Sequence, residues 1–445
     1  MWIVVALVVA AIVAGGLRHR FYSQWFRLPS NRSDLLPSRD ATTRGEVTLD
    51  AGGVQIPPGT LAHYSVLLRL TLRARLSGHL FDPYVEMRAG KIVMRQYFER
   101  GATGERYLNL SPMFQDDELC ASMSRIALRA RGLRWKLRGT LETFPVPRFE
   151  GARILVLAPH PDDAELAGFG VYMGRNAWVA TITAGERSGA SPAAQLRRVE
   201  ESLAVPRLAS VPTEQTISLA FPDGTLASMH RDPSTAFRLA CEESQPRAQL
   251  RALNVVPRFR VAAPDCRWED LVGELRALLA HARPDIVVAP HPLLDSHPDH
   301  VFTAVALETA MRQSNIYPEL FLYVVHIAGA PMHPPGGFAS VVGLPPLRHA
   351  EWVAEQIHSH PLDAVARLIK RQSLLAMSAV RESAGLASET PDRASAVRRL
   401  RNRLAGVGAY PASLLRRADR PNEIYYRVRG SEFAALVGRL RATDL

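Results

Sequence analysis

Two short segments hold the residues whose types and spacing suit chemistry. The first, PHPDDAE at 159–165, places His160, Asp162 and Asp163 within four residues. The second, HPLLDSHPDH at 291–300, ends in His297, Asp299 and His300. Imidazole and carboxylate together are the donor set of a catalytic divalent metal, zinc above all, which takes three protein ligands and keeps one position open for water. His160 and Asp163, three apart across a turn, can meet at one ion, and His300 supplies a third donor from the second segment. Asp162 is then a carboxylate beside the metal, placed to take a proton from water, and His297 is placed to donate or share a proton across the site. A zinc ion lowers the pKa of water to about 7 and polarises a carbonyl oxygen, so these are the parts for amide hydrolysis. Either segment alone reads equally as a polar turn in which Asp163 or Asp299 caps the next helix. The repeat of the pattern HPD(D/H) favours the metal.

Both segments follow apolar runs of strand length. RILVLA (153–158) empties into the first and DIVVAP (285–290) into the second. Further runs, WVATITA (178–184), TISLAF (216–221) and LFLYVVHIA (320–328), are unbroken enough to be strands buried on both faces. Between them SPAAQLRRVEESLA and WEDLVGELRALLAHA have helical apolar spacing. Alternating strands and helices predict an α/β domain with a Rossmann-like, mostly parallel sheet and helices on both faces. The functional residues of such a sheet gather at the carboxyl ends of its strands, where both segments fall. Later, PLDAVARLIKRQSLLAM predicts an amphipathic helix and SLLRRADRPNEIYYRVRG a return to a short strand.

APHPDDAELAGFG together with HPDH resembles the PIG-L/LmbE-like zinc-dependent de-N-acetylases, a family that includes N-acetylglucosaminylphosphatidylinositol deacetylase. TITAGERSG, RRVEESLA, FPDGTL (221–226) and ELRALLAHARPDIVVAPHP continue the likeness in the same order, over roughly residues 151–330. The resemblance implies Zn2+ held by His160, Asp163 and His300, Asp162 as general base, and His297 as acid or oxyanion partner oriented by Asp299. It implies substrate contacts at Arg197, with neighbouring Arg198 the alternative register, and at Asp223. Where many members have Glu directly after the two aspartates, Ala164 intervenes before Glu165. The activity implied is removal of the N-acetyl group from an N-acetylated amino sugar; taken with the apolar N-terminal run and the basic charge, it points to a lipid-linked or cell-envelope glycoconjugate. A zinc amidase acting on a non-sugar or thiol conjugate uses the same metal chemistry. A glycan-binding membrane protein is the non-enzyme alternative, and such a module has no need of a base like Asp162.

The rest of the chain frames this core. Residues 1–20 contain an uncharged run, Trp2 to Leu17, followed by Arg18, His19 and Arg20, the pattern of a short transmembrane anchor rather than a cleaved signal. Charge after the run predicts a single-pass protein of the cell inner membrane with its large domain facing the cytoplasm. Residues 21–45 read as a linker. From 46 to 145 short strand-like runs with Gly-rich turns predict a small β-sandwich-like domain. In it Val66, Leu68, Leu70, Leu72 and Ala74 share one face, and Arg69, Arg73 and Arg75 the other. Tyr84, Tyr97, Phe98 and Tyr107 there are candidates for stacking on sugars or for core. TFPVPRF (143–149) marks the boundary to the deacetylase-like domain, 150–445. The net charge is +11, and all but three of the 54 basic residues are arginine. They are scattered, with no nucleic-acid-binding motif, so a membrane surface suits the charge better than nucleic acid. Cys120, Cys241 and Cys266 are too far apart for a CxxC pair and read as free, buried thiols.

Overall fold

The computed structural model describes residues 2, 31–32, 43–50, 52–56, 64–114, 125–185, 191–239, 247–261, 265–345, 353–384, 386 and 413–440. Among them no helix is long and apolar enough to cross a membrane. The expected anchor lies outside the described residues, except for Trp2, and so does most of the expected linker.

The first domain contains eight antiparallel strands: β1 (Thr43–Asp50), β2 (Gly53–Gln55), β3 (Tyr64–Ala74), β4 (Tyr84–Ala89), β5 (Ile92–Tyr97), β6 (Thr103–Asn109), β7 (Arg125–Arg131) and β8 (Leu133–Pro145). They form one sheet in the order β5-β4-β7-β2-β1-β8-β3-β6. β1 joins the halves, pairing with β8 through Thr48 and with β2 at Leu49 and Asp50. Alternation on β3 turns Val66, Leu68, Leu70 and Leu72 to a core shared with Val85, Met87, Ile126 and Leu128 from the far half, so the sheet folds over on itself. Leu67 points the other way, into the second domain's core, with Tyr107 and Phe144. Phe98 and Tyr107 are thus core residues, while Tyr84 and Tyr97 pack on each other at 5.0 Å.

The second domain is a seven-stranded sheet in the order β11-β10-β9-β12-β13-β15-β14. Its strands are β9 (Ile154–Ala158), β10 (Ala177–Thr183), β11 (Thr216–Phe221), β12 (Ile286–Pro290), β13 (Glu319–Tyr323), β14 (Gln356–Pro361) and β15 (Asn422–Val428). The first five are parallel to their neighbours, and β15 and β14 add an antiparallel edge. β9 shows why these runs are wholly apolar. Leu155 and Leu157 face one core, packed by helices α2 (Trp268–Ala282) and α3 (Pro298–Ser314), while Ile154, Val156 and Ala158 face another with Phe169, Val171 and Tyr172. Burying one such Leu or Val contributes ~1.5–3 kcal/mol, and β9 has no exposed face on which a polar residue would be tolerated. β13 is shorter than its apolar run: it stops at Tyr323, and just beyond it the backbone N–H groups of Val325 and His326 turn to the Asp295 carboxylate. Cys266 is buried and in no disulfide among the described residues; Cys120 and Cys241 lie outside them.

The two domains meet along the edge strand β14. Ser359 N donates to Ser65 Oγ at 3.0 Å, and Asn109 Nδ2 donates to Ser359 Oγ at 2.8 Å and to the Val342 carbonyl at 2.9 Å. Arg427 Nη1 reaches the Pro145 carbonyl at 3.0 Å. Asn109 is fully buried, so removing its amide strands several partners at once. Asn109→Ala is expected to cost ~1–3 kcal/mol in urea unfolding; an unchanged midpoint would show that this junction does not hold the domains together.

Candidate metal centre

β9 and β12 are adjacent parallel strands, paired Ile154 to Ile286 and Val156 to Val288, so their following loops emerge side by side. The first loop closes on its own carboxylate. Asp163 Oδ2 accepts from His160 N at 2.9 Å, and Asp163 N donates to the His160 carbonyl. A π-helical turn, Ala164–Gly168, follows and carries the chain into the next helix. The loop after β10 presses on this one at Gly185, whose φ of +64° suits glycine and where a Cβ would lie 2.5 Å from the Pro161 ring. In the second loop His297 caps α3 and Pro298 takes its first position.

Three donor atoms converge. His160 Nδ1 and Asp163 Oδ2 are 3.1 Å apart, His300 Nε2 and Asp163 Oδ2 3.0 Å, and His300 Nε2 and His160 Nδ1 3.2 Å. Tetrahedral zinc, with bonds near 2.0–2.1 Å, requires ligand atoms about 3.3–3.4 Å apart. The triangle is therefore of the right size and donor chemistry for Zn2+. The second ring nitrogen of each imidazole is held by a carboxylate. His300 Nδ1 meets Asp295 Oδ2 at 3.1 Å, and His160 Nε2 meets Asp223 Oδ1 at 3.1 Å and Asp299 Oδ2 at 3.4 Å. These carboxylates assign the protons to the outer nitrogens and leave His300 Nε2 and His160 Nδ1 to face the ion.

Electrostatics supports the same assignment. Burial works against a proton on His300, yet the charges and bonds of Asp163 and Asp295 raise its pKa to about 9. His160 is likewise raised well above its ordinary value against its burial, through Asp163, Asp223 and Asp299. Burial opposes the ionised form of Asp295, but His300 and the backbone donors pull its pKa down to about 2. Burial lowers the His297 pKa, and the charges of His160 and His300 add to the effect. His297 Nδ1 accepts from Asp299 N at 3.2 Å, so the neutral ring carries its proton on Nε2.

Each sequence-predicted residue can now be placed. His160, Asp163 and His300 come together. Asp162 is buried in the same loop, beside them in sequence. Asp299 accepts from Gly224 N at 2.6 Å and Leu226 N at 3.2 Å, tying the 221–226 segment to the centre as well as steadying His160. Asp223, expected at the substrate, is bonded to His160. Arg197 is exposed on α1 (Pro192–Ala204), whereas Arg198 is buried and donates to the Gly185 carbonyl, on the loop against Pro161. The helix turns Arg197 outward and Arg198 inward because Val199 and Gln195 occupy its buried face. Two residues escaped the sequence reading. Asp295 stood in the quoted second segment as an acid five before His300. His326, whose ring lies 4.8 Å from that of His300, was hidden inside an apolar run. Its donor atom groups with those of Asp163 and His300 within 4.8 Å. Glu165 is buried, and burial, with the charges of Asp162 and Asp163 added, raises its pKa to about 8; Tyr172 Oη donates to it at 2.9 Å.

Residues 155–311 match the family model described as PIG-L: GlcNAc-PI de-N-acetylase, and this stretch of the chain is a PIG-L domain. A search of curated proteins finds no match. Among solved structures, the zinc-inhibited form of teicoplanin deacetylase Orf2 is 20% identical, with 62% of this chain and 98% of that one covered and a TM-score of 0.33. The conserved protein TT1542 from Thermus thermophilus is also 20% identical, covering 62% and 94%, with a TM-score of 0.31. GalB, a 4-carboxy-2-hydroxymuconate hydratase from Pseudomonas putida, is 13% identical, covering 62% and 95%, with a TM-score of 0.32. Likenesses at these identities and scores say nothing of the reaction.

A metal must displace any proton on the nitrogens it takes. His300 titrates at about 9 and His160 well above its usual value, so metal uptake at pH 7 by chelator-treated protein is expected to release protons, about two in number. Affinity should rise with pH until His300 is deprotonated. Calorimetry in buffers of different ionisation enthalpy counts the protons; uptake with none released would show that both imidazoles are already neutral at pH 7 in the metal-free protein.

Proposed function

We propose that the chain is an N-deacetylase that hydrolyses the acetamide of an N-acetylated amino sugar. The observation that carries the reading is the donor triangle of His160, Asp163 and His300 at the edge of a PIG-L domain. When bound, a zinc ion supplies Lewis acidity to water and to the amide carbonyl oxygen. The remaining work falls to side chains. Asp162 takes the proton as water adds to the carbonyl carbon. His297 donates a hydrogen bond from its Nε2–H to the developing oxyanion, and Asp162 passes the proton it took from water to the departing amine nitrogen. Water adds across the C–N bond, which breaks to give acetate and a free amine. Asp295, Asp223 and Asp299 hold the two imidazoles in register, so the donors need no rearrangement during the reaction.

The finer proposal is a lipid-linked or cell-envelope glycoconjugate as substrate. It is supported by the sequence alone: the apolar run at 2–17, the net charge of +11 and the arginines that follow the run. An inner-membrane, single-pass protein with the catalytic domain toward the cytoplasm belongs to the same proposal. Arg198, against the loop that borders the centre, is the better of the two helix arginines to meet such a substrate.

Acetate release from a panel of soluble and lipid-linked N-acetylhexosamines tests the reaction and the preference together. Asp162→Asn is expected to lower turnover by at least ~100-fold while the protein keeps its metal. His300→Ala is expected to lose both. Loss of metal in Asp162→Asn would make Asp162 a ligand, and full activity there would remove it as the base.

A further inference from the structure

A cavity of about 90 Å³ lies behind the wall formed by the end of β13, next to the metal centre. The two share residues or immediate neighbours. Tyr323 and Val325 line the cavity, while Val325 N and His326 N hold Asp295, the partner of His300. Leu166 and Ala167, on the π-helical turn three and four residues after Asp163, form another side.

The walls combine apolar surface with two guanidinium groups that make no ion pair among the described residues. Leu166, Val325, Leu414 and Ile424 supply the first. Of the cations, Lys370 is neutralised by Glu423. Arg417 and Arg420 meet no carboxylate among the described residues; their guanidinium groups donate only to backbone carbonyls. Arg417 Nε donates to the His333 carbonyl at 2.9 Å and Nη2 to that of Val325, leaving Nη1 with no described partner. Arg420 spends its nitrogens on the carbonyls of Arg416, Pro334, Pro335, Gly336 and Ser340. Two guanidinium charges beside a low-dielectric cavity favour an anion, and the apolar share of the wall favours one with a small hydrocarbon end. The volume is worth about three waters, enough for a carboxylate of two carbons. Arg417 also donates to the carbonyl of Val325, whose own N–H holds Asp295, so its guanidinium is joined through one residue to the partner of His300.

We propose that this cavity is a carboxylate subsite that receives the acetate released at the metal centre, with the methyl group against Leu166, Val325, Leu414 and Ile424 and the carboxylate on Arg417 Nη1. The source of the ligand rests on the deacetylase reading; the subsite itself is independent of it.

The test is acetate binding by saturation-transfer NMR to the full chain after metal removal with a chelator, so that coordination to metal cannot contribute. Saturable binding is expected. Arg417→Gln should weaken it about tenfold or more, the worth of a charge-assisted hydrogen bond. Because Arg417 also braces two carbonyls, Ala418→Leu, which fills the cavity and leaves the guanidinium in place, should weaken it as well. Non-saturable binding, or binding unchanged in Ala418→Leu, would overturn the proposal, and so would inorganic phosphate displacing acetate at lower concentration than acetate itself binds. Acetate binding in a protein without deacetylase activity would support the subsite and overturn the proposed reaction instead.

Discussion

The site depends on one constraint of the sheet: β9 and β12, 132 residues apart in register, lie side by side and run in the same direction. Parallel neighbours end at the same edge, and a donor in the loop after one can reach a donor in the loop after the other. Had either strand been antiparallel, His300 would stand at the opposite edge from His160. The strands are fixed there by side chains buried on both faces, between α2 and α3 on one side and the helix after the first loop on the other. Register is set by packing across the whole sheet, so the metal centre draws its precision from residues far from it.

Around that edge, the carboxylates do more than donate. Burying two imidazoles and several acids would be costly in isolation. Here the charges at the two imidazoles are paired: Asp163 lies between the rings, Asp295 holds His300, and Asp223 and Asp299 hold His160. Asp295 and Asp299 are also satisfied by backbone N–H groups, which ties the segments 221–226 and 325–326 to the centre. The same bonds that neutralise burial choose the tautomers, so folding and preorganisation of the donors are one event. The first domain, folded over its own core, packs along the β14 edge through Ser65, Asn109 and Ser359, well away from the donors.

What the sequence made legible follows from how local each signal is. His160, Asp163 and His300 could be read because their motifs sit directly after apolar runs, and a strand end is a local pattern. β9 through β12 could be read for the same reason. The partners of the imidazoles could not be assigned: Asp223 and Asp295 are acids in turns, and only the tertiary arrangement brings them to ring nitrogens. His326 was concealed because β13 ends short of it, where the backbone turns to Asp295, a contact 30 residues back. The antiparallel β15–β14 edge and the single folded sheet of the first domain depend on pairings between distant segments, which no window of sequence contains. Arg197 and Arg198 differ by one helical position, a rotation that periodicity alone does not resolve in a run of mixed charge.

The ligand set itself is the central claim, and anomalous diffraction at the zinc edge from crystals of the metal-loaded protein measures it directly. The account predicts one peak bonded to His160 Nδ1, Asp163 and His300 Nε2 at about 2.0–2.2 Å. A peak held by His297 in place of Asp163, or one centred on Asp223 and Asp299, would contradict it.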